Sequence, residues 1–134
     1  MQRCSQHFHN YSYRVRQIIA AYTPNPWKSY STYSIDSTNS TFLLSLDLKQ
    51  KMTITSNQYA TYNRPNRGSC FGGGHDIYIS DKCNANTNSY SSFPTSFNCN
   101  DLYSKGQASY TAFCGATNEY NYKVLEYEVF RVIH

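Results

Sequence analysis

Charge is scarce in this chain: Asp, Glu, Lys and Arg make up 15% of its 134 residues, and the twelve basic residues outnumber the eight acidic ones by four. Its longest run of basic character, Arg14, Arg16 and then Lys28, is too dilute for a nucleic-acid groove, so the excess reads as a solvated surface. No run approaches the ~18 apolar residues of a membrane-spanning helix. The best candidates, residues 18–21 and 42–44, fall far short. Residues 1–7 lack the apolar centre of a secretory signal, which makes the cytoplasm the expected compartment and the Asn-x-Ser/Thr matches at Asn10 and Asn39 chance ones. Five cysteines, at positions 4, 70, 83, 99 and 114, show no Cys-x-x-Cys spacing, and reduced thiols are expected. Ala, Leu, Glu and Lys, the strong helix formers, are sparse, which argues against a helical fold.

Aromatic residues are abundant instead: fourteen Tyr and seven Phe contribute to a 16% share. Such rings suit half-buried pleated surfaces, and the many Ser, Thr and Asn residues favour turns over helix interiors. A chain this short has room for one core, so a single small β-rich antiparallel domain over residues 13–134 is expected, behind a disordered or weakly ordered lead over 1–12. Residues 13–22 read as a half-exposed strand stopped by Pro24 and Pro26, and residues 28–40 as a loop. The clearest strand is 41–48, with Phe42, Leu44, Leu46 and Leu48 on one face; 49–51 then reads as a turn. Shorter strands are expected over 52–55 and 58–62. At 71–80 three glycines lead into a strand with Ile77 and Ile79 on one face. Residues 81–101 form a long Asn/Ser/Tyr stretch, either a surface loop pinned by its aromatics or a functional loop. Residues 122–133 read as a closing strand whose apolar phase switches near Val129, implying a bulge or burial on both faces. The triple-glycine strand and this closing strand are expected to share a sheet.

None of the candidate chemistry amounts to a catalytic constellation. Gly72, Gly73 and Gly74 open a strand rather than a helix and no Gly-Lys-Ser/Thr follows, which disfavours a phosphate loop. His75 and Asp76 are adjacent, so on an extended chain they point apart. Cys70 lies five positions before His75 and could pair with it only if the glycines folded back sharply. A strand-entry histidine bonded to backbone is the favoured alternative. Cys4 with His7 and His9 lacks a fourth metal ligand, and the alternating Asn84, Asn86 and Asn88 lack the carboxylates of a calcium loop. Neither supports a metal site, and no cofactor is expected. Glu126 and Glu128 lie about 7 Å apart on one strand face, where bonding to a neighbouring loop or Arg is favoured over paired-carboxylate catalysis.

Four blocks, in order, carry a family resemblance: residues 20–27 (Ala-Ala-Tyr-Thr-Pro-Asn-Pro-Trp), 42–46 (Phe-Leu-Leu-Ser-Leu), 71–79 (Phe-Gly-Gly-Gly-His-Asp-Ile-Tyr-Ile) and 123–130 (Lys-Val-Leu-Glu-Tyr-Glu-Val-Phe). Together they resemble the TLDc family over about residues 17–133. The first block has Ala20-Ala21 where that family has Gly-Gly, and the family's earlier segment with an Arg-Asp-Gly type motif has no counterpart, so the domain is expected to be N-terminally incomplete, with exposed edge or apolar surface. The resemblance implies a two-sheet antiparallel sandwich with short marginal helices. It also implies a non-enzymatic regulatory or interaction module, linked to oxidative-stress resistance and to binding of the vacuolar proton pump. Pro26, Trp27, Gly72, Gly73, Gly74, His75, Asp76 and Glu128 stand at motif positions, with structural or partner-binding roles. Two alternatives remain open: a thiol-dependent peroxide-handling enzyme or hydrolase using Cys70 and His75, and a glycan- or peptide-binding β-sandwich using the 81–101 loop.

Overall fold

The computed structural model describes residues 2–10, 13–98 and 121–133, with side chains from residue 17 onward. The strands in chain order are β1 (Gln2–Asn10), β2 (Tyr13–Tyr22), β3 (Thr32–Ser34), β4 (Phe42–Ser45), β5 (Gln50–Thr53), β6 (Thr61–Asn63), β7 (Cys70–Phe71), β8 (Ile77–Tyr78), β9 (Ser89–Tyr90), β10 (Asn121–Tyr122) and β11 (Val124–Val129). They build two antiparallel sheets, one in the order β11-β1-β2-β4-β5 and the other β10-β9-β8-β7-β6-β3. The marginal helices implied by the resemblance reduce, among the described residues, to one 3-10 turn at Asn57–Tyr59.

Both sheets contribute to one core. Ile19, Ala21, Leu43, Met52 and Val124 from the first pack with Phe71, Ile77 and Tyr122 from the second, and Ile79, Phe93 and Phe97 complete it. At the closing segment a single residue, Lys123, carries the chain from the second sheet to the first: Asn121 and Tyr122 pair with β9, and from Val124 onward the chain pairs with β1. The triple-glycine segment and the closing strand therefore lie in opposite sheets, not the shared one expected. Their common ground is the core.

Residues 2–10 correct the expectation of a weakly ordered lead. β1 pairs with β2 from Gln2↔Ala21 to Asn10↔Tyr13 and with β11 on its other side, so it is an interior strand. Its polar sequence carries no period because backbone pairing to distant residues, rather than apolar alternation, places it. The loop expected over 28–40 contains β3, which pairs with β6. Residues 58–62 split between the 3-10 turn and the start of β6.

The strand expected over 41–48 is shorter, and its phase is inverted. Thr41, Leu43 and Ser45 are buried, while Leu46 is 52% exposed in a turn over 46–49 that replaces the one expected at 49–51. Polar residues can hold inward positions here because their bonding is satisfied locally. Thr41 donates through its amide and hydroxyl to the Asp36 carboxylate, each at 2.7 Å, and the Ser45 hydroxyl accepts from the Leu48 amide at 3.1 Å.

The closing segment also switches phase, earlier than expected. Gln6 pairs with Val124 and Ser5 with Glu126, leaving Leu125 as an extra residue. Burial accordingly passes from Tyr122 and Val124 to the half-buried Leu125 and Tyr127.

The inverted phase is directly testable. Leu43→Ala removes a fully buried side chain and should cost about 2–5 kcal/mol, whereas Leu46→Ala should stay within about 0.5 kcal/mol. Urea unfolding of both variants checks this; equal losses would restore the alternation expected from sequence.

Candidate functional site

The glycines at 72–74 form a turn between β7 and β8. Gly72 takes a φ of +88°, and a Cβ there would lie 1.8 Å from Oδ1 of Asp76. The turn therefore closes only because that space is left to the carboxyl group. Asp76 is fully buried and reaches across to the loop after Phe93: its Oδ2 accepts from the Thr95 amide at 2.6 Å and its Oδ1 from the Ser96 amide at 2.9 Å. The Gly73 amide donates to the Ser96 hydroxyl at 2.8 Å, and the Ser91 hydroxyl donates to the Asp76 carbonyl at 2.7 Å. One turn thus fastens the 91–97 loop, whose Phe93 and Phe97 enter the core. In its described part the 81–101 stretch is pinned by its aromatics.

On the opposite side of the turn lies the pair that sequence spacing allowed only with a sharp fold-back. His75 adopts a φ of +59°, and its Nδ1 lies 2.7 Å from the Cys70 thiol. Cys70 shares a row with tyrosines on the outer face of its sheet: Tyr33 pairs with Tyr62, Cys70 with Tyr78, and Tyr78 with Tyr90. The His75 ring sits 5.5 Å from Tyr62 and 6.1 Å from both Tyr78 and Tyr90, covering the thiol completely.

The electrostatics work against reactivity. Burial pushes the Cys70 thiol far above its ordinary value, with a smaller opposing effect from Arg67. Burial and then the Arg67 charge lower His75, against a hydrogen bond with the Gly72 backbone. Thiol and imidazole are both held neutral, opposite to an activated thiolate-imidazolium pair.

The other motif residues lie elsewhere. Trp27 packs edge-on against Phe71 with ring centroids 5.7 Å apart and remains 39% exposed. Beside it, the Lys28 amide donates to Asn63 Oδ1 at 2.9 Å. Pro26 and Trp27 form one wall of an open groove of about 660 Å³ whose opposite wall is residues 129–132. A smaller hollow of about 230 Å³ lies on the other side of Trp27, between Arg64, Arg67 and Tyr127. The Tyr127 hydroxyl hydrogen-bonds Ser69, tying β11 to the opposite sheet at this edge.

Glu126 and Glu128 are both exposed on β11, outside any enclosed cleft. Asn86 holds its own loop, accepting from Ser80 Oγ at 2.7 Å and donating to the carbonyls of Asp81 and Lys82, so the Asn84, Asn86 and Asn88 alternation is a turn. Among the described residues no His/Cys/Asp/Glu group is arranged to hold a metal ion. The side chains of Cys4, His7 and His9 lie outside the described ones. Sequence reading missed Arg64, Arg67 and residues 129–132 as neighbours of Trp27, because nothing local signals a meeting of segments this far apart.

Two buried aspartates give pH signatures of opposite sign. Burial outweighs the amide donors at Asp76 and raises its carboxyl from about 3.8 to about 6. The folded state then binds this proton more tightly, so its contribution is full below about pH 4 and is lost as pH rises through about 6. At Asp36 burial also acts upward, but hydrogen bonds from Thr38 and Thr41 prevail and lower the carboxyl to about 2. That contribution is present above about pH 4 and lost as pH falls through about 2. Asp76→Asn should therefore flatten the decline in stability between about pH 4 and 6 and, by turning an amino group toward amide donors, cost about 1–3 kcal/mol. Urea midpoints across this range check both, and an unchanged pH slope would contradict the assignment.

Among the described residues no helix is long and apolar enough to cross a membrane. Comparison with curated proteins and with solved structures gave no match. The TLDc domain model matches residues 12–133, which includes both walls of the groove, the glycine turn and the closing strand. By that match over nearly its whole length, the chain belongs to the TLDc domain family.

Proposed function

We propose that this chain is a non-enzymatic regulatory module that acts by binding another protein in the response to oxidative stress, with the vacuolar proton pump as its partner. The carrying observation is a contrast between two places in the fold. Cys70 and His75 have the spacing of a reactive pair, yet the thiol is covered and held protonated. Trp27, Val129 and Val132 instead present exposed apolar surface around an open groove. Surface of that kind suits a docking role. TLDc membership supports the regulatory, stress-linked part of the reading, and the pump is the partner implied by the resemblance of its sequence blocks.

Two measurements test this. Tagged full-length chain used as bait in a lysate should retain pump subunits; retention of none would remove the pump as partner. Cys70→Ser, confirmed as folded by thermal melt, should leave cellular protection against peroxide unchanged. Loss of protection in that folded variant would move the reading to the thiol enzyme.

A further inference from the structure

Trp27 divides two hollows, and both are lined by Trp27 and Val129. The larger is walled by apolar side chains, among them Pro24, Pro26, Val129 and Val132. The smaller is edged by Lys28, Arg64 and Arg67, and Arg131 stands on the rim of the larger. Four cations thus surround an apolar floor, and neither hollow is lined by an Asp or Glu.

The surface is held in advance of any binding. Trp27 is braced by the buried Phe71, Lys28 is fixed through its amide to Asn63, and the Arg67 guanidinium lies 5.2 Å from the Tyr78 ring centroid. Preorganised anchors of this kind reduce the ordering cost of association.

From this charge complementarity we infer that the Trp27 surface docks an acidic segment of a partner protein, with an aliphatic or aromatic side chain in the larger groove and carboxylates against Lys28, Arg64 and Arg67. This rests on the interaction-module reading and specifies its contact face. A peptide fits better than a nucleic acid, because the larger groove mixes Pro24, Pro26, Val129 and Val132 with the rings of Tyr22, Trp27 and Phe130 and carries one cation, Arg131, whereas single-stranded nucleic acid uses a continuous basic track with successive stacking platforms.

Trp27 is the only tryptophan in the chain, so its emission reports directly on this surface. The probe is a short synthetic peptide alternating Glu or Asp with Leu and Phe, titrated into the full chain. The expected result is a saturable change in Trp27 emission, weakened about tenfold or more by 0.5 M salt and similarly by the double change Arg64→Glu with Arg67→Glu. That variant keeps the indole and is checked by thermal melt. No change in emission, equal binding of the same peptide with Lys in place of its acids, or tighter binding of an oligo-thymidine strand would each overturn the inference.

Lysate capture with the wild-type chain and the double variant separates the two levels of the argument. Partner capture by the wild type that survives the double change overturns this surface and leaves the module reading standing. A wild-type chain that captures nothing counts against the module reading itself, while the peptide titration still decides the surface.

Discussion

The position of one buried carboxylate organises much of the domain. Asp76 occupies the space that Gly72 leaves empty and accepts amide hydrogens from Thr95 and Ser96. Burying an acid is costly unless its oxygens are bonded, and here the bonds come from a loop that has little regular structure of its own. The turn and the 91–97 loop are therefore mutually dependent. The loop supplies the donors that make the buried acid tolerable, and the acid fixes the loop so that Phe93 and Phe97 reach the core.

The same turn explains why Cys70 and His75 lie together while burial holds both neutral. Folding back at Gly72 sends Asp76 inward and His75 outward over Cys70. The proximity is thus a by-product of closing the turn, and the tyrosine row around the pair excludes water from the thiol. A thiol desolvated in this way stays protonated. Exposed apolar surface lies instead around Trp27, where the residues after β2 meet the end of β11, and Arg67 and Tyr62 border both this surface and the covered pair.

Joining the sheets through Lys123 has a structural consequence as well. Because β10 and β11 belong to different sheets, the closing segment fastens one edge of the sandwich, and the Tyr127 to Ser69 contact reinforces that edge further along. The wall formed by residues 129–132 is thereby set against Trp27 by the same segment that closes the core.

The sequence by itself determined the β class, the extent of β2 at residues 13–22, the inward placement of Ile77 and Ile79, and the family, since these rest on composition, short alternation and ordered local motifs. It also marked Gly72, His75 and Asp76 as special. Only the tertiary structure decided the rest. β1 is interior although its residues look like a polar tail, because its partners are β2 and the far end of the chain. Thr41 and Ser45 are inward although Leu46 looks the better candidate, because local hydrogen bonds satisfy them. Arg64, Arg67 and Val129 become neighbours of Trp27 only through strand register and sheet packing, and those long-range contacts leave no periodic trace in the segments they join.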